Sequence, residues 1–394
     1  MPSFAHLVGA MASWFLFWGS GQVMFQWLVV EELASPATLV GTAQMTLMMP
    51  SLFLLLVGGA TADRFDPRRV LFTVHVLAST SVWILYALVA TRSLTYEALL
   101  AYAASIGTLQ AFGNPARDTQ LSNVVSSMPL GRAVAGMTMT QHMSQMTGAF
   151  VAGLASFFGP APVIAWMGTV LLAGCFFSAR LPTRSQDPAL VREPMRANEV
   201  RAGIAEVLSS PVLRPVFFVS VSTGICFIGP FLVIVPLIVR DVYGGGAGEM
   251  GVLSAMFPLG AVLGGAIIVW RGGIQRNGRA LVIGQIVGAA SIGMIGLGLP
   301  FEGSMAGVLS WGISGALFIN TGRTIFQQNA SERNRARVLS VYALALMGGS
   351  PFGSLLSGGL ADPLGLHGTL LLSAASAFVV VIILALTTRL WELR

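Results

Sequence analysis

The chain has 394 residues, of which 55% are hydrophobic and only 10% are charged, and its mean hydropathy is +0.77. Soluble domains carry about 25% charged residues, so this composition excludes a soluble globular protein and indicates a chain that crosses a membrane many times. The net charge of +6 comes from arginine, because the sequence contains no lysine. A P-loop nucleotide site needs a lysine, so ATP hydrolysis at such a site is excluded as well.

A membrane-spanning helix needs about 20 mainly apolar residues. Runs of that kind follow one another along the whole chain and predict twelve spans. Their approximate limits are 7–31, 38–62, 69–91, 95–117, 133–156, 160–180, 212–239, 248–270, 279–299, 303–326, 336–360 and 367–389.

The arginines are placed unevenly around these spans. If both termini are cytoplasmic, 20 of the 22 arginines lie on the cytoplasmic side, and only Arg92 and Arg240 lie outside. Cytoplasmic loops of membrane proteins are enriched in basic residues, so this distribution predicts cytoplasmic termini. We expect a multi-pass membrane protein with both termini on the cytoplasmic side.

The longest polar stretch separates the sixth span from the seventh. Within it, Val200, Ile204, Val207 and Leu208 recur at helical spacing, which is typical of a short helix lying on the membrane surface. A solvated linker without a fixed position is the alternative. The predicted division is an N-terminal six-helix bundle, a linker and a C-terminal six-helix bundle, with limits 1–181, 182–211 and 212–394.

The two halves repeat each other. Asn114 and Arg117 end the fourth span, and Asn320 and Arg323 end the tenth, 206 residues later. A pair of glycines follows in each half, namely Gly148 and Gly153, then Gly353 and Gly358. Duplicated halves are common in transporters, whose binding site lies between the repeats. The fold class predicted is therefore an all-α membrane protein with two pseudo-symmetric six-helix bundles.

A compact charged loop between the second and third spans reads Gly59-Ala-Thr-Ala-Asp63-Arg64-Phe-Asp66-Pro-Arg68-Arg69. It resembles the loop 2–3 signature of the major facilitator superfamily. Its residue sequence is most similar to that of the branch containing enterobactin-type siderophore exporters and macrolide or multidrug efflux pumps. The resemblance covers the whole chain. Two departures stand out. Pro67 replaces a basic residue, and Val269 stands where Asp63 would repeat in the second half.

The resemblance implies an alternating-access exporter of a small amphipathic molecule, drug-like or siderophore, in a bacterial inner (plasma) membrane. Proton-coupled antiport is also expected, although the fifth span has Gly148-Ala149 where the antiporter signature has Gly-Pro. The resemblance also implies that Asp63 faces the start of the eleventh helix and that the loop closes the cytoplasmic side. The predicted gating residues are Gly59, Asp63, Arg64, Arg68 and Arg69. Ion pairs of the inner gate are expected at Arg117, Asp118, Arg323 and Arg337.

Polar residues within the spans are sparse, so their positions are informative. The resemblance places the first, fourth, fifth, seventh and tenth spans around a central cavity. The predicted cavity residues are Trp18, Gln22, Gln26, Gln110, Asn114, Gln141, Gln145 and Asn320. Hydrogen bonding between neighbouring helices is the alternative role for these side chains.

Proton coupling needs a titratable group in the pathway, and no carboxylate lies in the middle of a span. His142 in the fifth span and Glu31 and Glu32 at the end of the first are the candidate proton sites. A neutral packing role is the alternative for His142. His75 receives no role.

The remaining expectations are absences and alternatives. Cys175 and Cys226 lie in apolar runs without metal or disulfide spacing. We expect no cofactor, no metal, no nucleic acid partner and no enzymatic activity. The partners expected are the solute, membrane lipids and protons, with the chain as a monomer. A lipid or lysolipid translocator on the same fold is one alternative function, and a non-transporting membrane receptor or intramembrane enzyme is another.

Overall fold

The computed structural model of the protein describes residues 2–124, 130–183, 197–332 and 334–393, and these ranges are helical with short connections. One π turn continues the first helix, another joins the ninth to the tenth, and a short 3-10 turn ends the chain. The α-helices are α1 (Pro2–Trp27), α2 (Ala37–Arg64), α3 (Pro67–Ala90), α4 (Tyr96–Val124), α5 (Leu130–Gly153), α6 (Ala155–Phe158), α7 (Pro160–Ala179), α8 (Ala197–Ser209), α9 (Leu213–Thr223), α10 (Gly229–Asp241), α11 (Ala247–Trp270), α12 (Asn277–Gly296), α13 (Phe301–Asn329), α14 (Arg335–Gly348) and α15 (Ser350–Thr387).

Within the described residues, these helices coincide with the twelve predicted spans. α9 and α10 form the seventh span, joined by the π turn Gly224–Ile228. α14 and the first part of α15 form the eleventh. Gly365, at φ 70°, separates the eleventh from the twelfth, in a backbone conformation that glycine adopts without steric cost. The all-α membrane fold predicted from the sequence is therefore confirmed.

Seven helical stretches of the described chain are long and apolar enough to cross a membrane by length and composition alone. They are Ala37–Leu54, Pro67–Ala90, Pro160–Ala179, Leu213–Asp241, Ala247–Trp270, Asn277–Gly296 and Arg337–Thr387. The last is 51 residues long and contains two predicted spans. The predicted spans outside this set lie on α1, α4, α5 and α13, the helices that carry the polar residues assigned to the cavity. Polar side chains lower the apolar content of a helix, yet they are tolerated where they face the protein interior.

The contacts divide the chain into two compact units. In the first, α1 lies at the centre and packs against α5 and α7. A Cβ atom on Gly148 of α5 would overlap the carbonyl oxygen of Leu16, and one on Gly19 of α1 would overlap that of Gln145. Glycine at these positions lets the two backbones touch. The first unit comprises Met1–Leu33, Thr46–Met195 and Gly246–Ala255.

In the second unit, α15 takes the central position and packs against α10, α12 and the π turn that precedes α10. A Cβ atom on Gly353 of α15 would overlap the carbonyl oxygen of Ile225. Gly148 and Gly353, the pair matched by the sequence repeat, therefore make the same kind of backbone contact in their own units. The second unit comprises Ala34–Met45, Arg196–Gly245 and Met256–Arg394.

The second glycine pair of the repeat also has equivalent surroundings. In the first unit, a Cβ atom on Gly153 would lie 3.5 Å from the Cα of Gly248 on α11. In the second, a Cβ atom on Gly358 would lie 3.2 Å from the Cα of Gly41 on α2. Gly358 follows Gly153 by 205 residues and Gly248 follows Gly41 by 207, so the repeat found in the sequence is present in the packing. The limits predicted for the two bundles and the linker stay a prediction.

Residues 197–209 of the predicted linker form the helix α8, for which the sequence interpretation proposed a position on the membrane surface. Val207 is fully buried in the core of the second unit, together with Leu213, Phe326 and Val338. Ile204 packs against the same core from one turn earlier. α8 is therefore docked on the second unit through its apolar face.

A polar contact fixes α8 from the opposite side. The Glu206 carboxylate accepts hydrogen bonds from the backbone N–H of Ser331 at 2.9 Å, from the Ser331 hydroxyl at 3.0 Å and from Asn334 Nδ2 at 2.7 Å. These donors favour the charged form, with the Ser331 N–H contributing most, so the pKa of Glu206 is lowered. Arg337 in turn donates from Nη1 to Asn334 Oδ1 at 2.7 Å.

The Glu206 contact predicts a pH-dependent stability. A carboxyl with a lowered folded pKa stabilises the fold above its ordinary pKa of 4.5, and the contribution is lost as the pH falls through the lowered value. Glu206→Gln should therefore lower the melting temperature of the purified protein by about 2 °C at pH 7. The difference from wild type should shrink toward pH 4. Glu302→Gln, which removes an exposed carboxyl, serves as the control, and a Glu206→Gln difference that persists in acid would contradict the assignment.

Candidate functional site

The charged loop that resembles a family signature joins α2 to α3. Asp63 lies in the last turn of α2, and its side chain is outside the described residues. Asp66 is the residue whose carboxylate has a defined partner, because it accepts a hydrogen bond from the Arg68 backbone N–H at 3.0 Å and so caps α3. Pro67 follows at the first helical position, which is favourable because that position needs no N–H donor. An Asp-Pro pair before an apolar run is a helix-start signal, so the role of Asp66 and Pro67 could have been predicted from the sequence.

The arginines of this loop and its glycine occupy different environments. Arg64 and Arg69 are exposed, and Arg68 is half-buried. A Cβ atom on Gly59 would meet no other atom within 4 Å, so close packing does not explain a glycine there. The gating role of the loop stays a prediction.

A recess opens in the first unit between α1, α2 and α4. The space inside it that a water-sized molecule could occupy is only about 10 Å³, far below the roughly 300–1,000 Å³ of pockets that bind drug-sized ligands. Trp18 and Gln22, both predicted from the sequence, line it. The other lining residues were not predicted, and they are Phe17, Gly21, Phe25, Leu47, Tyr102 and Ile106. The recess is therefore mainly aromatic, with one amide.

The other predicted cavity residues lie outside this recess. Gln26 is buried at 4% exposure, whereas Asn320 is exposed and its Nδ2 donates to the Ala316 carbonyl of its own helix at 2.7 Å. Three more are half-buried, namely Gln110, Gln141 and Gln145. The structure brings together two of the eight predicted residues, and the cavity role of the others stays a prediction.

Arg117 has the most unusual environment of the predicted site residues. It is only 5% exposed, and its guanidinium carbon lies 5.0 Å from the ring centroids of both Trp14 and Phe15. Nε donates to the Gly113 carbonyl at 3.2 Å, and Nη2 donates to the Asn114 side-chain oxygen. Nη1 is buried, and within the described part of the chain it has no hydrogen-bond acceptor. A guanidinium group is attracted to the face of an aromatic ring, but each of its N–H groups still requires a hydrogen-bond acceptor.

The other residues assigned to the inner gate are not buried in this way. Asp118 and Arg323 are exposed, and Arg337 is half-buried beside Asn334. Their ion pairs with one another stay a prediction.

A buried polar cluster surrounds His75, the histidine to which the sequence assigned no role. Nδ1 lies 2.8 Å from the Leu71 carbonyl and 3.3 Å from the Ser178 hydroxyl, and Nε2 lies 3.3 Å from the Ser13 hydroxyl. Trp14 packs edge-on against the same ring, with centroids 5.8 Å apart. A Cβ atom on Gly174 would overlap the imidazole, so this glycine makes room for the cluster. The sequence signal for this cluster was that Ser13, Gly174 and Ser178 lie at about the same depth in their predicted spans as His75 does in its own.

The candidate proton sites differ in their surroundings. His142 on α5 is half-buried, and its buried Nδ1 has no hydrogen-bond partner among the residues that the structure describes. Glu31 is half-buried and Glu32 exposed, both in the π turn Leu28–Glu32 that ends the first span. Among the described residues, no group of three His, Cys, Asp or Glu side chains could hold a metal ion.

Comparison with known proteins gives matches over nearly the full length. A family model described as transmembrane secretion effector matches residues 4–393. The staphyloferrin A transporter of Staphylococcus aureus is 24% identical over 401 residues, which cover 97% of this chain and 96% of that protein.

Solved structures of transporters match the fold. A mutant of the nucleoside transporter NupG has a TM-score of 0.82 at 13% identity, covering 97% of this chain and 99% of that one. The D-xylose–proton symporter has a TM-score of 0.74 at 13% identity, covering 97% and 96%. At such identities these structures show the fold alone. Because the family model spans almost the entire sequence, this chain belongs to the transmembrane secretion effector family and is a transporter of the major facilitator superfamily.

Proposed function

We propose that this transporter exports a small amphipathic molecule, drug-like or siderophore-like, by alternating access across a bacterial inner membrane. Its termini lie in the cytoplasm, and protons moving inward drive the export. The lining of the recess in the first unit is the observation that carries this proposal: the recess is too small for such a solute in this conformation, but its aromatic walls and single amide suit a solute with an apolar body and few polar groups. The similarity to the staphyloferrin A transporter over nearly the whole chain supports a transport function.

The depth and composition of the recess explain the preference for an amphipathic solute. Phe17, Phe25 and Tyr102 provide apolar area, while the Gln22 amide offers two N–H donors and one acceptor oxygen for orientation. Aromatic side chains contribute large contact areas at low entropic cost. A strongly hydrated sugar or ion would lose more hydration here than the single amide replaces.

Shortening the aromatic wall should weaken transport. Trp18→Ala should raise the KM for export of fluorescent aromatic amphiphiles at least about tenfold, since contact with a large aromatic side chain is worth about 1.5–3 kcal/mol. Inside-out membrane vesicles with an acidic lumen, offered anionic, neutral and cationic members of the dye panel, provide the measurement. Trp270→Ala is the matched control, because Trp270 is 83% exposed at the end of α11. Equal KM values in both variants would exclude the recess as the binding site.

Substitutions of two aspartates, three residues apart in the loop, distinguish a gating role from a helix-capping role. Asp63→Asn should reduce export about tenfold or more, because the amide cannot supply the negative charge that favours a helix N-terminus. Asp66→Asn should leave export near wild type, because asparagine caps a helix about as well as aspartate. Vesicle transport is measured at equal amounts of inserted protein. Normal export by Asp63→Asn would remove the proposed latch.

Proton coupling is assigned first to His142, because its Nδ1 is buried without a partner. His142→Gln should abolish accumulation driven by the pH gradient, with at least about a tenfold loss, because glutamine does not titrate. Exchange of labelled for unlabelled solute without a gradient should continue. Glu31→Gln is tested in parallel as the next candidate. Gradient-driven accumulation that is unchanged in His142→Gln would overturn this assignment.

A further inference from the structure

The two arginines that the sequence repeat makes equivalent have different environments. Arg117 is 5% exposed and packs against Trp14 and Phe15, whereas Arg323 is exposed. The neighbouring asparagines differ too, since Asn114 binds the arginine and Asn320 binds its own helix backbone. The enrichment of basic residues on the cytoplasmic side explains an arginine at both positions, but it does not require either side chain to be buried. The burial of Arg117 therefore needs another explanation.

The guanidinium of Arg117 is incompletely satisfied. It stays charged at any pH a protein experiences, so burial cannot be relieved by losing a proton. The adjacent Asp118 attracts it electrostatically, yet no residue that the structure describes accepts a hydrogen bond from Nη1. A buried charged donor left without an acceptor is costly, and such a group within a membrane protein marks a functional site by default. The missing partner must be an acceptor, and an anionic acceptor would also offset the charge.

The position of Arg117 connects it to the recess. Trp14, which covers the guanidinium, and Trp18, which lines the recess, are four residues apart on α1. They are thus separated by one helical turn, about 6 Å. Asn114, whose side-chain oxygen holds Nη2, is exposed, so the guanidinium lies one side chain below the surface of α4.

We propose that Nη1 of Arg117 binds the carboxylate of the transported solute while the apolar body of that solute lies against Trp18. The substrates are then amphipathic organic anions. This assignment rests on the proposed function only in placing the solute body in the recess. Admitting the carboxylate requires Phe15, which is half-buried, to turn away from the guanidinium.

A matched acid and ester test this assignment directly. Binding of 2-naphthylacetate and of its methyl ester is measured by equilibrium dialysis to the purified full-length protein in nanodiscs of neutral lipid. Wild type should bind the acid about ten- to a hundredfold more tightly than the ester, as expected of a charge-assisted hydrogen bond. Arg117→Gln should bind the acid no more tightly than the ester. Arg117→Lys, which keeps the charge but loses the planar fork, should show an intermediate preference.

The control is Arg323→Gln, which removes the repeat-related exposed charge and should keep the full preference for the acid. Equal binding of acid and ester by wild type, binding of neither, or an undiminished preference in Arg117→Gln would overturn the proposal. Loss of the preference when phosphatidylglycerol is added to the nanodiscs would assign the site to a lipid headgroup and overturn it for a solute. Failure of export in vesicles, with the acid preference intact, would instead contradict the proposed function alone.

Discussion

Direct contact between helix backbones, made possible by glycine, is the interaction on which the described structure depends. Lipid removes the hydrophobic force that joins helices in water, so association relies on close packing and on hydrogen bonds between helices. Gly148 brings α5 onto the carbonyl of Leu16, and Gly353 brings α15 onto the carbonyl of Ile225. A methyl group at either glycine would overlap the facing backbone. The central helix of each unit is therefore fixed by positions where a side chain is absent.

This dependence explains which parts of the fold could be predicted from sequence. The length of each apolar run predicts a span, and the arginine-containing loops mark where spans end on the cytoplasmic side. The helices could therefore be predicted from composition. The repeat was detectable because its glycines recur, and the structure gives Gly153 and Gly358 equivalent neighbours. α8 was recognisable from the spacing of Ile204 and Val207, both of which face the core of the second unit. Whether that face would meet lipid or protein depends on packing that periodicity does not encode.

The site was less accessible to sequence reasoning for a physical reason. Trp18 and Gln22 share a helical face with Gln26, yet the recess includes only the first two, because α2 and α4 supply Leu47 and Tyr102 beside them. Such partners come from distant parts of the chain. The same holds for His75, whose polar neighbours Ser13 and Ser178 belong to two other helices. A histidine in an apolar run looks alike whether its neighbours are methyl groups or hydroxyls.

The contact of the α2 segment Ala34–Met45 with α15 is built differently from the apolar core around Val207. Gly41 and Gly358 meet there through their backbones. Gln44 and Ser354 are fully buried nearby, and neither the Gln44 amide atoms nor the Ser354 hydroxyl has a hydrogen-bond partner. Each such group costs about 1–3 kcal/mol relative to its hydrated form. These unpaired polar groups weaken the contact, so it separates at lower cost than an apolar interface of equal size. Alternating access, on the function proposed here, needs helix contacts of this reversible kind.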